Sequence, residues 1–93
     1  MVSMLNKFAN DMTQLVYLAK QYYAEDDAVF NAIRGKTNLL IEDLEGNRTW
    51  LKGPLDRIIK ILKEVDSMKS AEKILIALRQ ALILMKQLKI DLD

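Results

Sequence analysis

The residue types that most often do chemistry in proteins are scarce in this chain of 93 residues. It contains no cysteine and no histidine. That composition excludes disulfide scaffolds, thiolate metal sites, thiol nucleophiles and nucleophile pairs that depend on an imidazole base. An enzyme would need carboxylate, lysine or serine chemistry, and no spacing of these residues suggests a catalytic arrangement. We predict a protein that is not an enzyme and uses no cofactor and no metal.

Two motifs partly match sites for phosphate or a cation. Gly35-Lys36-Thr37 matches the end of a phosphate-binding loop, but the first glycine of that loop would fall on Phe30 and no strand precedes it. Acidic residues could offer oxygen ligands to a hard cation, but their spacing fits no calcium loop; they are Asp26, Asp27, Glu42, Asp43 and Glu45. Helix caps and solvated helix faces explain them better.

Positive charge is concentrated in the second half of the chain. Residues 1–46 carry four Lys/Arg and seven Asp/Glu, whereas residues 47–93 carry ten and six. The basic residues could form an edge that binds phosphates; they are Arg48, Lys52, Arg57, Lys60 and Lys63. Because Asp56 and Glu64 interrupt this edge and no aromatic stacking platform accompanies it, a small nucleic-acid-binding protein is the less favoured alternative.

The composition predicts an all-α fold. Hydrophobic residues make up 51% of the chain and aromatic residues only 6%, with three glycines and one proline, which is typical of a helical bundle. We predict one domain over residues 1–93, folded as an antiparallel four-helix bundle.

The expected helix boundaries follow from caps and breakers. The first helix should begin after Ser3 and end near Tyr23, and the second should run from the acidic residues 25–27 to a left-handed cap at Gly46. Gly53-Pro54 starts the third helix. Ser70 should cap the fourth, although residues 66–70 hold neither glycine nor proline, so three helices with one long C-terminal helix is the alternative. Gly35 should bend or interrupt the second helix, or mark a close helix crossing.

The last helix, over residues 70–90, is apolar on two sides. One side is a broad fan; its members are Ile74, Leu75, Ala77, Leu78, Ala81, Leu82, Leu84, Met85 and Leu88. Ile76, Ile83 and Ile90 recur every seven residues outside that fan, near the polar residues Arg79 and Gln80. They would either pair with a second copy or a partner helix, or be covered by the first two helices around a central fourth helix. We favour self-association as a dimer.

Trp50 and Leu51 lie in the central loop over residues 47–53. An exposed tryptophan is a typical anchor of a protein interface, so both residues are candidates for contact with a partner. In the alternative interpretation Trp50 folds back and covers the open end of the bundle.

The chain offers no membrane or export signal. The first residues lack the apolar run of a secretory signal, and the unbroken apolar run near the end covers only residues 81–85. We therefore expect a cytoplasmic protein without a transmembrane segment.

The order of four short antiparallel helices, with Gly53-Pro54-Leu55 opening the third, is similar to the cytoplasmic immunity proteins of pediocin-like bacteriocins. The resemblance implies a helper that blocks a membrane receptor-bacteriocin complex from the inside. It is the alternative to our main interpretation, a helical protein-interaction module that self-associates and acts on a protein partner.

Overall fold

The computed structural model describes residues 2–21, 27–47 and 53–92. It contains four helices, which are α1 (Val2–Lys20), α2 (Asp27–Asn47), α3 (Pro54–Val65) and α4 (Ala71–Leu92). Every regular element in these ranges is an α-helix. The expectation of an all-α, four-helix fold is thus confirmed, and the alternative with three helices is wrong.

The helices form a closed ring in which each packs against its neighbours in the chain and α4 closes the ring on α1. The diagonal pairs, α1 with α3 and α2 with α4, make no comparable contact. α1 and α2 run antiparallel, because Lys7 at the start of α1 pairs with Asp43 near the end of α2. Likewise, Arg57 at the start of α3 and Asp91 at the end of α4 line one groove.

The core is built from the inward seam of each helix. Its largest fully buried side chains come from all four helices; they are Leu5, Phe8, Met12, Leu15, Ile33, Leu44, Leu55, Ile58, Leu62, Ile74, Leu78 and Met85. All nine residues of the apolar fan predicted for α4 are buried or half-buried. Packing of these seams supplies most of the stability that short helices lack on their own.

Two observed boundaries match the expected signals. Gly53 has φ 91 and immediately precedes Pro54 at the start of α3. Ser70 caps α4, because its Oγ accepts a hydrogen bond of 3.4 Å from the Lys73 N–H.

The break between α3 and α4 is held by hydrogen bonds rather than by a helix-breaking residue. The Ser67 N–H and hydroxyl both donate to the Glu64 carbonyl, at 3.2 and 3.0 Å. The Asp66 carboxylate accepts a hydrogen bond of 3.0 Å from Arg34 Nε on α2, and that guanidinium lies 5.3 Å from the centroid of the Phe30 ring. These contacts satisfy a free carbonyl at the end of α3 and fix the turn against α2.

Two details of the second helix and both ends of the first helix differ from expectation. Gly46 lies inside α2, which continues to Asn47, whose Nδ2 donates to the Asp43 carbonyl at 2.8 Å. Gly35 neither interrupts α2 nor marks a crossing, since a Cβ built there would meet no atom within 4 Å. α1 begins at Val2 rather than after Ser3 and its helix ends at Lys20.

Gly35 and Gly53 form a matched pair for a stability test, because a Cβ at either position would meet no atom within 4 Å and only Gly53 has a positive φ. We expect Gly35→Ala to raise the free energy of unfolding by about 0.5–1 kcal/mol, since alanine loses less entropy in a helix. Gly53→Ala should lower it by about 1–3 kcal/mol, since a Cβ is strained at that φ. Urea denaturation measures both; equal effects of the two changes would contradict this assignment.

Thr37 offers a second test, because its side chain is 2% exposed and its hydroxyl has no hydrogen-bond partner among the residues that the structure describes. Thr37→Val should raise the free energy of unfolding by about 1 kcal/mol, since it removes an unpaired buried hydroxyl and keeps the shape of the side chain. Thr37→Ser keeps the hydroxyl and should be destabilising. A loss of stability in the valine variant would show that the hydroxyl is bonded in solution.

Candidate functional site

The outer face of α4 carries a line of exposed isoleucines. Ile76, Ile83 and Ile90 are 57%, 66% and 67% exposed. Because α4 occupies one place in a ring of four helices, its inward fan faces α1 and α3 and the isoleucines point away from the bundle. The alternative in which the first two helices cover this stripe around a central α4 is therefore wrong.

The three isoleucines define what we call the isoleucine stripe. Successive members are about 10.5 Å apart along the helix and drift by about 20° around it per seven residues. A line with this slow drift matches the seam that one helix offers to another in a left-handed coiled coil. The stripe thus has the spacing of a helix-packing surface.

Polar residues border the stripe on both sides, about 40–60° around the helix from Ile83. Arg79 and Lys86 lie on one side, which we call the basic flank, and both are exposed. Gln80 and Gln87 lie on the other, which we call the amide flank. The apolar line is therefore one residue wide.

The amide flank leads into a groove between α3 and α4. Gln87 and Asp91 line that groove together with Arg57 of α3, and Gln87 Nε2 donates a hydrogen bond of 3.0 Å to Asp91 Oδ1. On the basic flank, Arg79 and Lys86 form no ion pair with any residue that the structure describes. The two flanks consequently differ in charge.

Within the described ranges, the other large apolar side chains that are exposed are single residues on other helices. Tyr17 on α1 is 67% exposed and Leu39 on α2 is 64% exposed. Single exposed apolar residues are common on protein surfaces, whereas an aligned set of three is not. Leu39 was not predicted from the sequence; the signal was there in Leu39-Leu40-Ile41, because three consecutive apolar residues cannot all face inward from one helix.

The predicted anchors Trp50 and Leu51 lie outside the described residues, as do Asp26, Arg48 and Lys52. Their predicted roles therefore stay predictions.

In the part of the chain that the structure describes, the remaining motifs lie within ordinary helices and form no site. Gly35-Lys36-Thr37 lies in the middle of α2 and not in a loop before a helix. Asp43 pairs with Lys7 at 3.8 Å, and Glu45 pairs with Lys63 of the basic edge at 2.8 Å. Within the described ranges, no three acidic side chains are grouped in a way that could hold a metal ion. None of the helices in those ranges is both long and apolar enough to cross a membrane.

Comparison with protein-family models, with curated protein sequences and with solved structures yields no match to this chain. The resemblance to the immunity proteins of pediocin-like bacteriocins therefore depends on Gly53-Pro54-Leu55 and the order of the helices alone.

The two apolar sides of α4 should respond differently to substitution. Leu78 is 1% exposed, and Leu78→Ala should lower the free energy of unfolding by about 2–5 kcal/mol because it leaves a cavity. Ile83→Gln should change it by less than about 0.5 kcal/mol because the side chain is on the surface. Urea denaturation of dilute protein measures both values. A large loss in the Ile83 variant would mean that the stripe is buried within the fold.

Proposed function

We propose that this protein is a non-enzymatic helical interaction module of the cytoplasm, which self-associates through the isoleucine stripe of α4 and acts on a protein partner. The observation that carries the proposal is the exposure of three isoleucines at heptad spacing on one helix face. Exposed apolar side chains in a row are unfavourable in water and are typical of surfaces that another helix covers.

The size of the stripe sets the expected strength of self-association. Burying isoleucines that are already partly covered contributes roughly 1–2 kcal/mol each, hence roughly 6–12 kcal/mol over the six side chains of two copies. Association itself costs about 4–15 kcal/mol in lost freedom of motion. The two ranges overlap, so we expect a weak dimer whose population depends on concentration. Such an interface belongs to the class of small, transient contacts.

A weak dimer also suits a module with a second partner. The same stripe can exchange a second copy for a helix of another protein, provided that this helix presents apolar residues at matching intervals. In that case self-association and partner binding compete for one surface. A variant with a charged residue in place of Ile83 should therefore lose both interactions.

Light scattering over protein concentrations from micromolar to millimolar tests the proposal. The wild-type chain should shift from the mass of one chain towards twice that mass, and Ile83→Glu should remain at the mass of one chain because a charge on the stripe prevents its burial. Leu39→Glu is the matched control, since Leu39 is 64% exposed and Ile83 66% exposed. It should dimerise like the wild type.

Circular dichroism on the same samples should show equal helix content in all three proteins. A wild-type chain that stays monomeric over the whole range would contradict self-association. Equal loss of dimer in the Leu39 and Ile83 variants would contradict the assignment of the interface to α4.

A further inference from the structure

The two flanks of the isoleucine stripe differ in a way that distinguishes the orientations of a second copy. The basic flank holds Arg79 and Lys86, neither of which is paired with a described residue. The amide flank holds Gln80 and Gln87 and ends in two exposed charges, Lys73 at one end and the carboxylate of Asp91 at the other. The exposed Glu72 lies beside the basic flank, seven residues before Arg79. A helix that packs along the stripe must contact both flanks at once.

In an antiparallel pair of α4 helices, like flanks meet. A two-fold axis through Ile83 would place Ile76 of one copy opposite Ile90 of the other. The same operation would bring Arg79 beside Lys86 of the second copy, and symmetry would repeat this contact. On the amide flanks, Lys73 would face Asp91 of the second copy, which is favourable. The two contacts between unpaired positive charges on the basic flanks nevertheless oppose this arrangement.

In a parallel pair, unlike flanks meet. The basic flank of each copy would face the amide flank of the other, and Lys86 would come within reach of Asp91 of the second copy. This is the relation by which charged residues beside the seam set the orientation of parallel coiled coils. Each isoleucine would meet its own counterpart, in three layers about 10.5 Å apart.

We propose that the occupant of the stripe is a second copy whose α4 runs parallel to the first, with Lys86 of each copy paired to Asp91 of the other. This inference rests on the proposed self-association and adds its orientation. A membrane surface suits the face less well, because the apolar line is one residue wide and amide side chains border it, whereas helices that lie on membranes have a broad apolar face.

Disulfide trapping distinguishes the orientations, and the absence of cysteine from the natural chain leaves no competing thiol. Ile76→Cys should form a covalent dimer on mild oxidation in the parallel arrangement, and so should Ile90→Cys. In the antiparallel arrangement the two cysteines of an Ile76→Cys dimer would lie about 21 Å apart, far beyond the Cα separation of about 7 Å that a disulfide allows.

A mixture of Ile76→Cys with ¹⁵N-labelled Ile90→Cys tests the opposite arrangement, because the mixed dimer has an intermediate mass. The parallel arrangement predicts few mixed dimers, and a predominance of them would overturn the proposed orientation while leaving self-association intact.

Ile83→Cys should be trapped in either orientation. Leu39→Cys measures the background from random collision. If Ile83→Cys gives no more covalent dimer than Leu39→Cys, both the orientation and the proposed self-association fail.

Charge reversal gives a second, independent test by concentration-dependent light scattering. In the parallel arrangement Lys86→Glu would place two carboxylates side by side and should raise the dimer Kd by about 2- to 10-fold. Adding Asp91→Lys should restore the Kd towards the wild-type value. In the antiparallel arrangement Lys86→Glu would face Arg79 and should lower the Kd, so a tighter dimer would overturn the proposal.

Discussion

A helix in a closed ring of four can bury only the part of its circumference that faces the ring, and this constraint governs the structure. On α4 the fan of apolar residues between Ile74 and Leu88 fills that part and packs against α1 and α3. The isoleucine stripe lies outside it and stays in water. The protein therefore pairs a well-filled interior with an outward apolar line that adds little to the stability of a single copy. The fold of a single copy does not require this line, which supports the proposed contact between molecules.

Most of the fold could be predicted from residue patterns, because these patterns reflect strong interactions between residues that are close in sequence. Gly53-Pro54 fixes the start of α3 through a positive φ and a proline at the first helical position, and Ser70 fixes the start of α4 through its hydroxyl. The break before Ser70 was the weakest boundary in the sequence because hydrogen bonds from Ser67 and the pairing of Asp66 with Arg34 create it. The second of these joins residues that are 32 positions apart, which no local pattern contains.

Only part of the candidate site could be predicted from the sequence. Periodicity shows that α4 has two apolar sides, but it does not show which side faces the other helices; that depends on packing of the whole ring. Gly46 shows the same limit, since its helical conformation does not follow from its neighbours alone. The sequence contains the charges of the basic flank and the amide flank, but their meaning is clear only after the structure shows that the stripe faces outward.

The turn between α3 and α4 determines whether α4 packs into the core of its own chain or into that of another. If the turn over residues 66–70 straightened, residues 54–92 would form one rod about 58 Å long, longer than the 38 Å extent of the protein. The inward fan of α4 could then reach a core only in another molecule, by domain exchange. The hydrogen bonds of the Ser67 hydroxyl and the Asp66 carboxylate hold this turn in place. They would therefore keep each core within its own chain and leave the outer face of α4 to the proposed reversible contacts.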